Sequence, residues 1–175
     1  MKREAGSQKS EFQKLAFIAF GSNLGDSRKS ILDAMVRLQN FSDVLILQSS
    51  LWQTSPVNCP PDSPKFVNAV AGLVPRKDET PESLLEKLRK LEKEFGRAPK
   101  TVLNEPRPLD LDLIAFGNEI RNSSELILPH PRAHLRKFVL QPLSEIAPGL
   151  ILEGQGKTVL DLIAEIPSEE TITQL

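Results

Sequence analysis

Apolar residues follow two different spacings along this chain, and the change from one to the other predicts its elements. The six residues from Leu15 to Phe20 are apolar without a break, and the glycine-bounded segment Gly21–Gly25 follows them. This predicts a buried strand and then a tight turn. Apolar residues next recur at helical spacing, which predicts a helix that Asp26 or Ser27 caps.

The later segments continue this alternation. Thr80 precedes Pro81 and Glu82, so a capping hydroxyl, a first-turn proline and an acid near the positive end of the helix dipole mark a helix start. Further strands are predicted at 43–54, 66–74 and 109–116, a return strand at 119–121, and helices from 80 to about 96, at 133–146 and at 158–165. The order β-α-β-β-α-β predicts an α+β protein with a ferredoxin-like sandwich, in which helices pack largely on one face of an antiparallel sheet, with additional strands and C-terminal helices.

Composition limits the kind of protein that this sequence encodes. The chain has 175 residues, 39% hydrophobic and 26% charged, which fits a single globular domain over residues 15–175. Residues 1–14 are polar, so we expect a flexible extension and not a secretory signal. A net charge of -1 gives no reason to expect nucleic acid or an anionic membrane as partner. The single cysteine, Cys59, excludes an internal disulfide and suits a cytoplasmic protein, which we expect to be a monomer.

Two acids stand on one face of the strand predicted at 109–116. Side chains alternate along a strand, so Asp110 and Asp112 share a face and lie roughly 6–7 Å apart. Their repulsion is about 2–3 kcal/mol at an effective dielectric constant near 20. A divalent cation would offset this cost, although pairing with Arg107 or Arg136 on a surface strand would also do so.

Basic residues concentrate in two loops that flank this acidic strand. They are Arg97, Lys100, Arg107, Arg132, Arg136 and Lys137, with His130 and His134. Carboxylates beside several guanidinium groups suit a magnesium–polyphosphate complex, because the acids hold the metal and the arginines bind phosphate oxygens. The chain has neither a P-loop nor a Gly-x-Gly-x-x-Gly motif. Phe66 and Asn68 share a face of another strand and would suit a flat heterocycle, although phenylalanines are most often core residues.

Five ordered segments between about residues 16 and 150 resemble one enzyme family. They are Ala19–Asp26, Phe66–Ala69, Glu92–Arg97, Pro106–Leu113 with Phe116-Gly117, and Pro129–Arg136 with Phe138–Leu140, Pro142-Leu143 and Glu145–Pro148. The chain resembles 6-hydroxymethyl-7,8-dihydropterin pyrophosphokinase of folate biosynthesis. The resemblance implies transfer of pyrophosphate from ATP to the pterin hydroxymethyl group, with release of AMP.

The resemblance also implies a role for each matching residue. Asp110 and Asp112 would hold two magnesium ions and, with Arg97 and Arg107, form the catalytic group. ATP would contact Arg89, Glu92, Arg97, Lys100, Arg107, Leu111, His130 and Arg136. The pterin would contact Thr54, Ser55, Val57, Asn68 and Asp110, and would lie between Phe66 and Phe138.

Three places depart from the family pattern, and two other interpretations stay open. Asn104 stands where many members have tryptophan, and Pro99 where a second arginine is common, both in a loop expected to close over the nucleotide. Asn58-Cys59 also replaces a region that often carries glycine. The alternatives are a metal-dependent nucleotidyl- or glycosyltransferase and a ferredoxin-like RNA-binding module. The first lacks the other segments, and the second lacks sheet-face aromatics and positive charge.

Overall fold

The protein folds around one antiparallel sheet. A computed structural model describes residues 11–56, 62–99, 105–167 and 171–175. The strands are β1 (Ala16–Ser22), β2 (Leu47–Gln48), β3 (Trp52–Thr54), β4 (Phe66–Leu73), β5 (Asp110–Phe116), β6 (Arg121–Asn122), β7 (Ile127–Leu128) and β8 (Ile172–Gln174). The helices are α1 (Ser27–Leu38), α2 (Pro81–Glu94), α3 (Lys137–Ile146) and α4 (Val159–Glu165), with 3₁₀ turns at Gln39–Phe41 and Ala133–Leu135.

The strand order places the longest strands side by side. The main sheet runs β5-β1-β4-β3-β8, with β2 also paired to β4, and β6 and β7 form a separate hairpin. The two helices α1 and α2 follow β1 and β4, as in a ferredoxin-like sandwich, so the predicted α+β class is confirmed. Among the helices of the described ranges, none has the length and apolar character needed to cross a bilayer.

The central strands are apolar on both faces. Along β1, Ile18 belongs to a core cluster that includes residues of α1 and α2, whereas Phe17 belongs to a second cluster that includes residues of α3 and α4. The expectation that helices cover largely one face is therefore wrong. A strand that is apolar on both sides needs cover on both sides, and the C-terminal helices bury the face that α1 and α2 leave open.

The segment 43–54 does not form the single strand that its apolar residues predicted. It is divided into β2 and β3, and Leu45 is 89% exposed. The break coincides with Ser49, whose backbone N–H donates to the Val70 carbonyl and whose Oγ accepts the Val70 N–H. A serine oxygen that takes a ladder hydrogen bond competes with regular strand pairing, which apolar content does not reveal.

The C-terminal third also differs in detail from its prediction. The helix predicted at 133–146 begins as a 3₁₀ turn and becomes α-helical only from Lys137. The predicted return strand becomes β6, one or two residues later, and pairs with β7. β8 was not predicted, because Ile172–Gln174 is short and mostly polar; it forms through pairing with β3.

Residues 11–14 of the expected extension pack against the domain, while residues 1–10 lie outside the described ranges. The Phe12 ring lies edge-on to Phe17 with their centroids 6.4 Å apart. The N–H of Gly117, in the turn after β5, donates to the Leu15 carbonyl at 2.8 Å. A side chain at Gly117 would bring its Cβ to 2.7 Å from the Gln13 carbonyl oxygen.

We expect Gly117→Ala to destabilise the protein more than Gly154→Ala does. Both glycines have positive φ, +53° and +83°, so both substitutions strain the backbone by roughly 1–2 kcal/mol. Only position 117 adds a clash, with a further cost of about 1–3 kcal/mol, since no atom lies within 4 Å of the Cβ position at Gly154. Chemical denaturation measures both free energies of unfolding. Equal losses would show that residues 11–14 do not hold this turn.

Candidate active site

A pocket of about 700 Å³ collects the predicted site residues of the described ranges. Its lining comes from the ends of β1, β3 and β4, from β5, from the exposed side of α2, from the start of α3 and from the β6–β7 hairpin. The predicted residues that line it are Thr54, Ser55, Phe66, Asn68, Arg89, Glu92, Arg97, Arg107, Asp110, Leu111, Asp112, His130, Arg136 and Phe138. The predicted residues Val57 and Lys100, like the departures at Asn104 and Asn58-Cys59, lie outside the described residues.

The two aspartates lie on one face of β5, as the alternation predicted. Asp110 pairs in register with Gly21, and Asp112 with Ala19, on the neighbouring strand β1. Both neighbours are small, so no large side chain of β1 stands next to the carboxylates. At Gly21 even a methyl group would lie 3.8 Å from the Asp110 Cβ and 3.7 Å from the Asn68 side-chain oxygen. Glycine therefore keeps open the space between the aspartates and Asn68.

Arginines neutralise both carboxylates. Arg97 Nη1 lies 2.7 Å from Asp110 Oδ1, and Arg107 Nε lies 3.4 Å from Asp110 Oδ2. Arg136 Nη1 lies 3.8 Å from Asp112 Oδ2. These side chains are only partly exposed, so solvent screens their attraction less than it screens a surface ion pair. The pocket thus holds carboxylates and guanidinium groups that face the same space.

The environment of Asp112 favours its uncharged form. Burial raises the pKa of Asp112, the negative charge of Asp110 raises it further, and Arg136, Arg107 and Arg97 oppose the rise. A cation bound between the two acids would remove this cost. Within the described residues no three His, Cys, Asp or Glu side chains form a complete metal site. Magnesium commonly binds one or two carboxylates and takes its other ligands from substrate phosphates and water, so the aspartate pair fits this metal.

Glu92 was predicted to approach the nucleotide, and its contacts in the fold are structural. Its side chain is 7% exposed, and Oε1 accepts the Leu111 backbone N–H at 2.7 Å. The same carboxylate forms an ion pair with Arg97. Burial raises the pKa of Glu92 to about 7, although the Leu111 hydrogen bond and Arg97 oppose the rise. Glu92 therefore fastens α2 to β5 between the two aspartates and orients Arg97.

His130 is a neutral hydrogen-bond donor at the pocket. Burial, together with the nearby charges of Arg136 and Arg132, lowers the pKa of His130 to about 4. Its Nδ1 accepts the Arg132 backbone N–H at 3.2 Å, so in the neutral ring the proton is on Nε2. The His130 backbone N–H donates to the Ile114 carbonyl at 2.8 Å and fixes this segment to β5.

The pocket also offers an aromatic and an amide surface. Asn68 is 3% exposed, and its Nδ2 donates to Thr54 Oγ1 at 2.8 Å, which fixes the direction of the amide. Phe66 and Phe138 are both half-buried and line the pocket. The Arg136 guanidinium lies 5.4 Å from the centroid of the Phe138 ring. Together they form a surface that a flat, polar-edged molecule can occupy.

The β6–β7 hairpin also lines the pocket, which the sequence did not indicate. Its contributing residues are Ser124, Glu125, Leu126 and Ile127. Arg89 Nη2 lies 3.5 Å from the Glu125 carbonyl oxygen, so α2 contacts this hairpin. The types of these four residues do not reveal this role in the sequence. They line the pocket because the fold places the hairpin beside it. Arg132, one of the basic residues noted in the sequence, lines the pocket as well.

Comparisons with known proteins agree on one family. A family model described as 7,8-dihydro-6-hydroxymethylpterin-pyrophosphokinase (HPPK) matches residues 17–148. The 2-amino-4-hydroxy-6-hydroxymethyldihydropteridine pyrophosphokinase of Haemophilus influenzae is 35% identical over 90% of this chain and 96% of its own length. The enzyme of the same name from Pseudomonas aeruginosa is 38% identical over 87% of this chain and 92% of its own length.

Other relatives are longer than this chain. The folic acid synthesis protein fol1 of Pneumocystis carinii is 36% identical over 91% of this chain, which spans 21% of that protein's length. The solved structure of wild-type HPPK-DHPS from Plasmodium falciparum with pteroate has a TM-score of 0.67 at 13% identity, over 86% of this chain and 42% of that one. At this identity the likeness concerns the fold.

We expect Asp112→Asn to raise the melting temperature of the ligand-free protein at pH 7. The folded state raises the pKa of Asp112 above its ordinary 3.8, so wild-type protein loses stability as pH rises through the interval between the unfolded and folded values. Asparagine carries no charge, so its advantage is present above that interval and disappears below about pH 4. For a chain of this size, each 1 kcal/mol of added stability raises the melting temperature by roughly 2–4 °C, which calorimetry resolves.

The matched control is Asp43→Asn, because the Asp43 side chain is 76% exposed and pairs with Arg76 at the surface. We expect that variant to melt within about 1–2 °C of wild type at both pH values. Calorimetry at pH 7 and pH 4 measures the difference. An Asp112→Asn protein that melts at or below the wild-type temperature at pH 7 would contradict the electrostatic cost assigned to this site.

Proposed function

The chain belongs to the 7,8-dihydro-6-hydroxymethylpterin-pyrophosphokinase family, and we propose that it transfers pyrophosphate from ATP to the hydroxymethyl group of 6-hydroxymethyl-7,8-dihydropterin, with release of AMP. The product would enter folate biosynthesis. The two enzymes of this name that match most of their own length support the proposal. The alternatives of a nucleotidyl- or glycosyltransferase and of an RNA-binding module have no comparable support.

One observation carries the proposal: the pocket combines an acidic pair, several arginines and an aromatic–amide surface. Transfer of a phosphoryl-type group depends on in-line placement and on neutralisation of charge more than on a covalent step. The acids and arginines suit the polyphosphate, and the aromatic–amide surface suits the pterin. A 700 Å³ pocket falls in the range that small-molecule ligands occupy.

The ion pairs of the pocket provide partners that can be exchanged when substrates bind. Asp110 and Asp112 would hold two magnesium ions, which supply positive charge to the triphosphate. Arg97, Arg107 and Arg136 now contact these aspartates, and they would turn to phosphate oxygens, for which guanidinium groups are well shaped. The acids and the arginines would each exchange one opposite charge for another, so no charge is left unpaired.

The remaining residues fit roles in orientation. The neutral His130 ring would donate a hydrogen bond from Nε2–H to a phosphate oxygen and would add no charge. Arg89 and Leu111 would border the nucleotide. Thr54, Ser55, Val57 and Asn68 would contact the pterin edge, with Phe66 and Phe138 on its two faces. Asp110 would also orient the hydroxymethyl group, and Lys100 would extend the basic side. Glu92 would act through Arg97, with which it forms an ion pair.

The proposal extends to the setting of the enzyme. A single cysteine in 175 residues suits a reducing compartment, so we propose a cytoplasmic location. We further propose that the protein is a monomer whose partners are its two small-molecule substrates. Sedimentation of the purified protein would test the monomer directly.

We expect AMP to form from ATP only when magnesium and 6-hydroxymethyl-7,8-dihydropterin are both present. ATP is the donor of the pyrophosphoryl group and the pterin is its acceptor, so neither can be omitted. The metal is needed to neutralise the charge of the triphosphate. Chromatography of the nucleotide products, with each component omitted in turn, measures this requirement. Formation of ADP and phosphate, or AMP formation that does not need the pterin, would contradict the proposed reaction.

We expect Asp112→Asn to lower kcat by at least 100-fold, the order of loss typical when one group that stabilises transition-state charge is removed. The same variant is expected to be more stable than wild type, so loss of activity would not result from unfolding. Asp43→Asn serves again as the control and should keep wild-type kcat. A fully active Asp112→Asn enzyme would contradict a metal-binding role for this carboxylate.

A further inference from the structure

The tripeptide Pro106-Arg107-Pro108 enters β5 with few hydrogen-bonding groups of its own. Proline has no backbone N–H, so Arg107 carries the only backbone donor of the three residues. A residue that precedes proline is also biased toward extended backbone, so a helical turn does not hold this donor. In the structure the backbone of Arg107 is held by a distant part of the chain.

Asn23, at the end of β1, bonds to both backbone groups of Arg107. Its backbone N–H donates to the Arg107 carbonyl oxygen at 3.1 Å, and its side-chain Oδ1 accepts the Arg107 N–H at 2.9 Å. Asn23 is 2% exposed, so water does not compete for these bonds. The two bonds join segments that are 84 positions apart. They resemble the pair of hydrogen bonds that two facing residues exchange in antiparallel strands.

The guanidinium of Arg107 has no comparable anchor among the described residues. Its Nε lies 3.4 Å from Asp110 Oδ2, near enough for charge attraction, but it is buried and makes no hydrogen bond there. The side chain is 15% exposed. Its position therefore depends chiefly on where the backbone is held, and Asn23 holds the backbone.

The side-chain amide of Asn23 lowers the stability of the fold compared with an apolar side chain of similar size. Its Nδ2 is buried and finds no hydrogen-bond partner among the described residues. A buried donor without a partner lowers stability, so an apolar side chain would serve better if the site needed only to be filled. Among the described residues, the bond that the Asn23 amide makes is the one from the Arg107 N–H to Oδ1.

We propose that Asn23 is a positioning residue for Arg107 in the pyrophosphoryl transfer. It acts through the backbone of Arg107 and places the guanidinium beside Asp110, where the transferred group would lie. This inference rests on the proposed function, in which Arg107 stabilises the charge of the polyphosphate. It gives the glycine-bounded turn after β1 a role that its sequence did not specify.

A double-mutant cycle with Asn23→Ala and Arg107→Ala tests this role. We expect Asn23→Ala to lower kcat roughly 10- to 100-fold, the loss that a displacement of about 1 Å can cause, with KM for the pterin changed by less than about 2-fold. In the Arg107→Ala background, Asn23→Ala should lower kcat no further, because a residue that acts only through Arg107 has no effect once its guanidinium is absent.

Two further variants separate positioning from stability. Ser42→Ala is the matched control, since the Oγ of Ser42 is a buried link that donates to the Val74 carbonyl at 2.9 Å, away from the pocket. It should lower the melting temperature and leave kcat unchanged. Asn23→Asp keeps an oxygen at the Oδ1 position and should retain most of the wild-type kcat, which keeps the test valid if Asn23→Ala does not fold.

Each outcome has a definite meaning. Wild-type kcat in Asn23→Ala, losses that multiply in the double variant, or an Asn23→Asp enzyme as slow as Asn23→Ala would overturn the role of Asn23 and leave the proposed function intact. An Arg107→Ala enzyme with full kcat would instead remove Arg107 from the catalytic group, and the Asn23 inference with it. Absence of AMP formation by the wild-type protein would overturn the proposed function itself.

Discussion

The structure of the pocket depends on two like charges held on one face of one strand. Asp110 and Asp112 cannot move apart, because the alternation of β5 fixes both side chains toward the same space. Arg97, Arg107 and Arg136 offset their repulsion, and burial still raises the pKa of Asp112. The protein therefore keeps a site with an unfavourable charge arrangement, and groups with shifted pKa values of this kind are common at functional sites.

A second constraint follows from the position of β5 at the edge of the main sheet. Backbone groups on the outer side of an edge strand need partners from outside the sheet. Glu92 accepts the outward N–H of Leu111, and the His130 N–H donates to the Ile114 carbonyl. The groups that satisfy the edge are thus the same groups that bring α2 and the His130 segment to the aspartates. The same hydrogen bonds therefore satisfy the edge of the sheet and hold the parts of the site together.

Much of the fold could be predicted from the sequence, because its main elements have strong periodicity. The predictions for β1, α1, β4, α2 and β5 agree with the structure to within a few residues. They were wrong where a side chain or a distant segment intervened. Ser49 divides the segment 43–54, β3 recruits β8, and apolar residues on both faces of β1 place α3 and α4 opposite α1 and α2. The apolar residues on both faces of β1 are visible in the sequence, but which helices cover each face is not, and the partners of Ser49 and of β3 lie in distant segments.

The sequence by itself determined the acidic pair on one strand face, the neighbouring arginines, the aromatic and amide candidates and the resemblance to one family. These features follow from residue type and short spacing, which the chain carries directly. Only the tertiary structure decided that Glu92 holds β5 and Arg97, that the β6–β7 hairpin borders the pocket, and that Asn23 holds Arg107. The physical reason is that a hydrogen bond between residues 84 positions apart depends on how strands and turns are placed in space, and periodicity along the chain does not encode that placement.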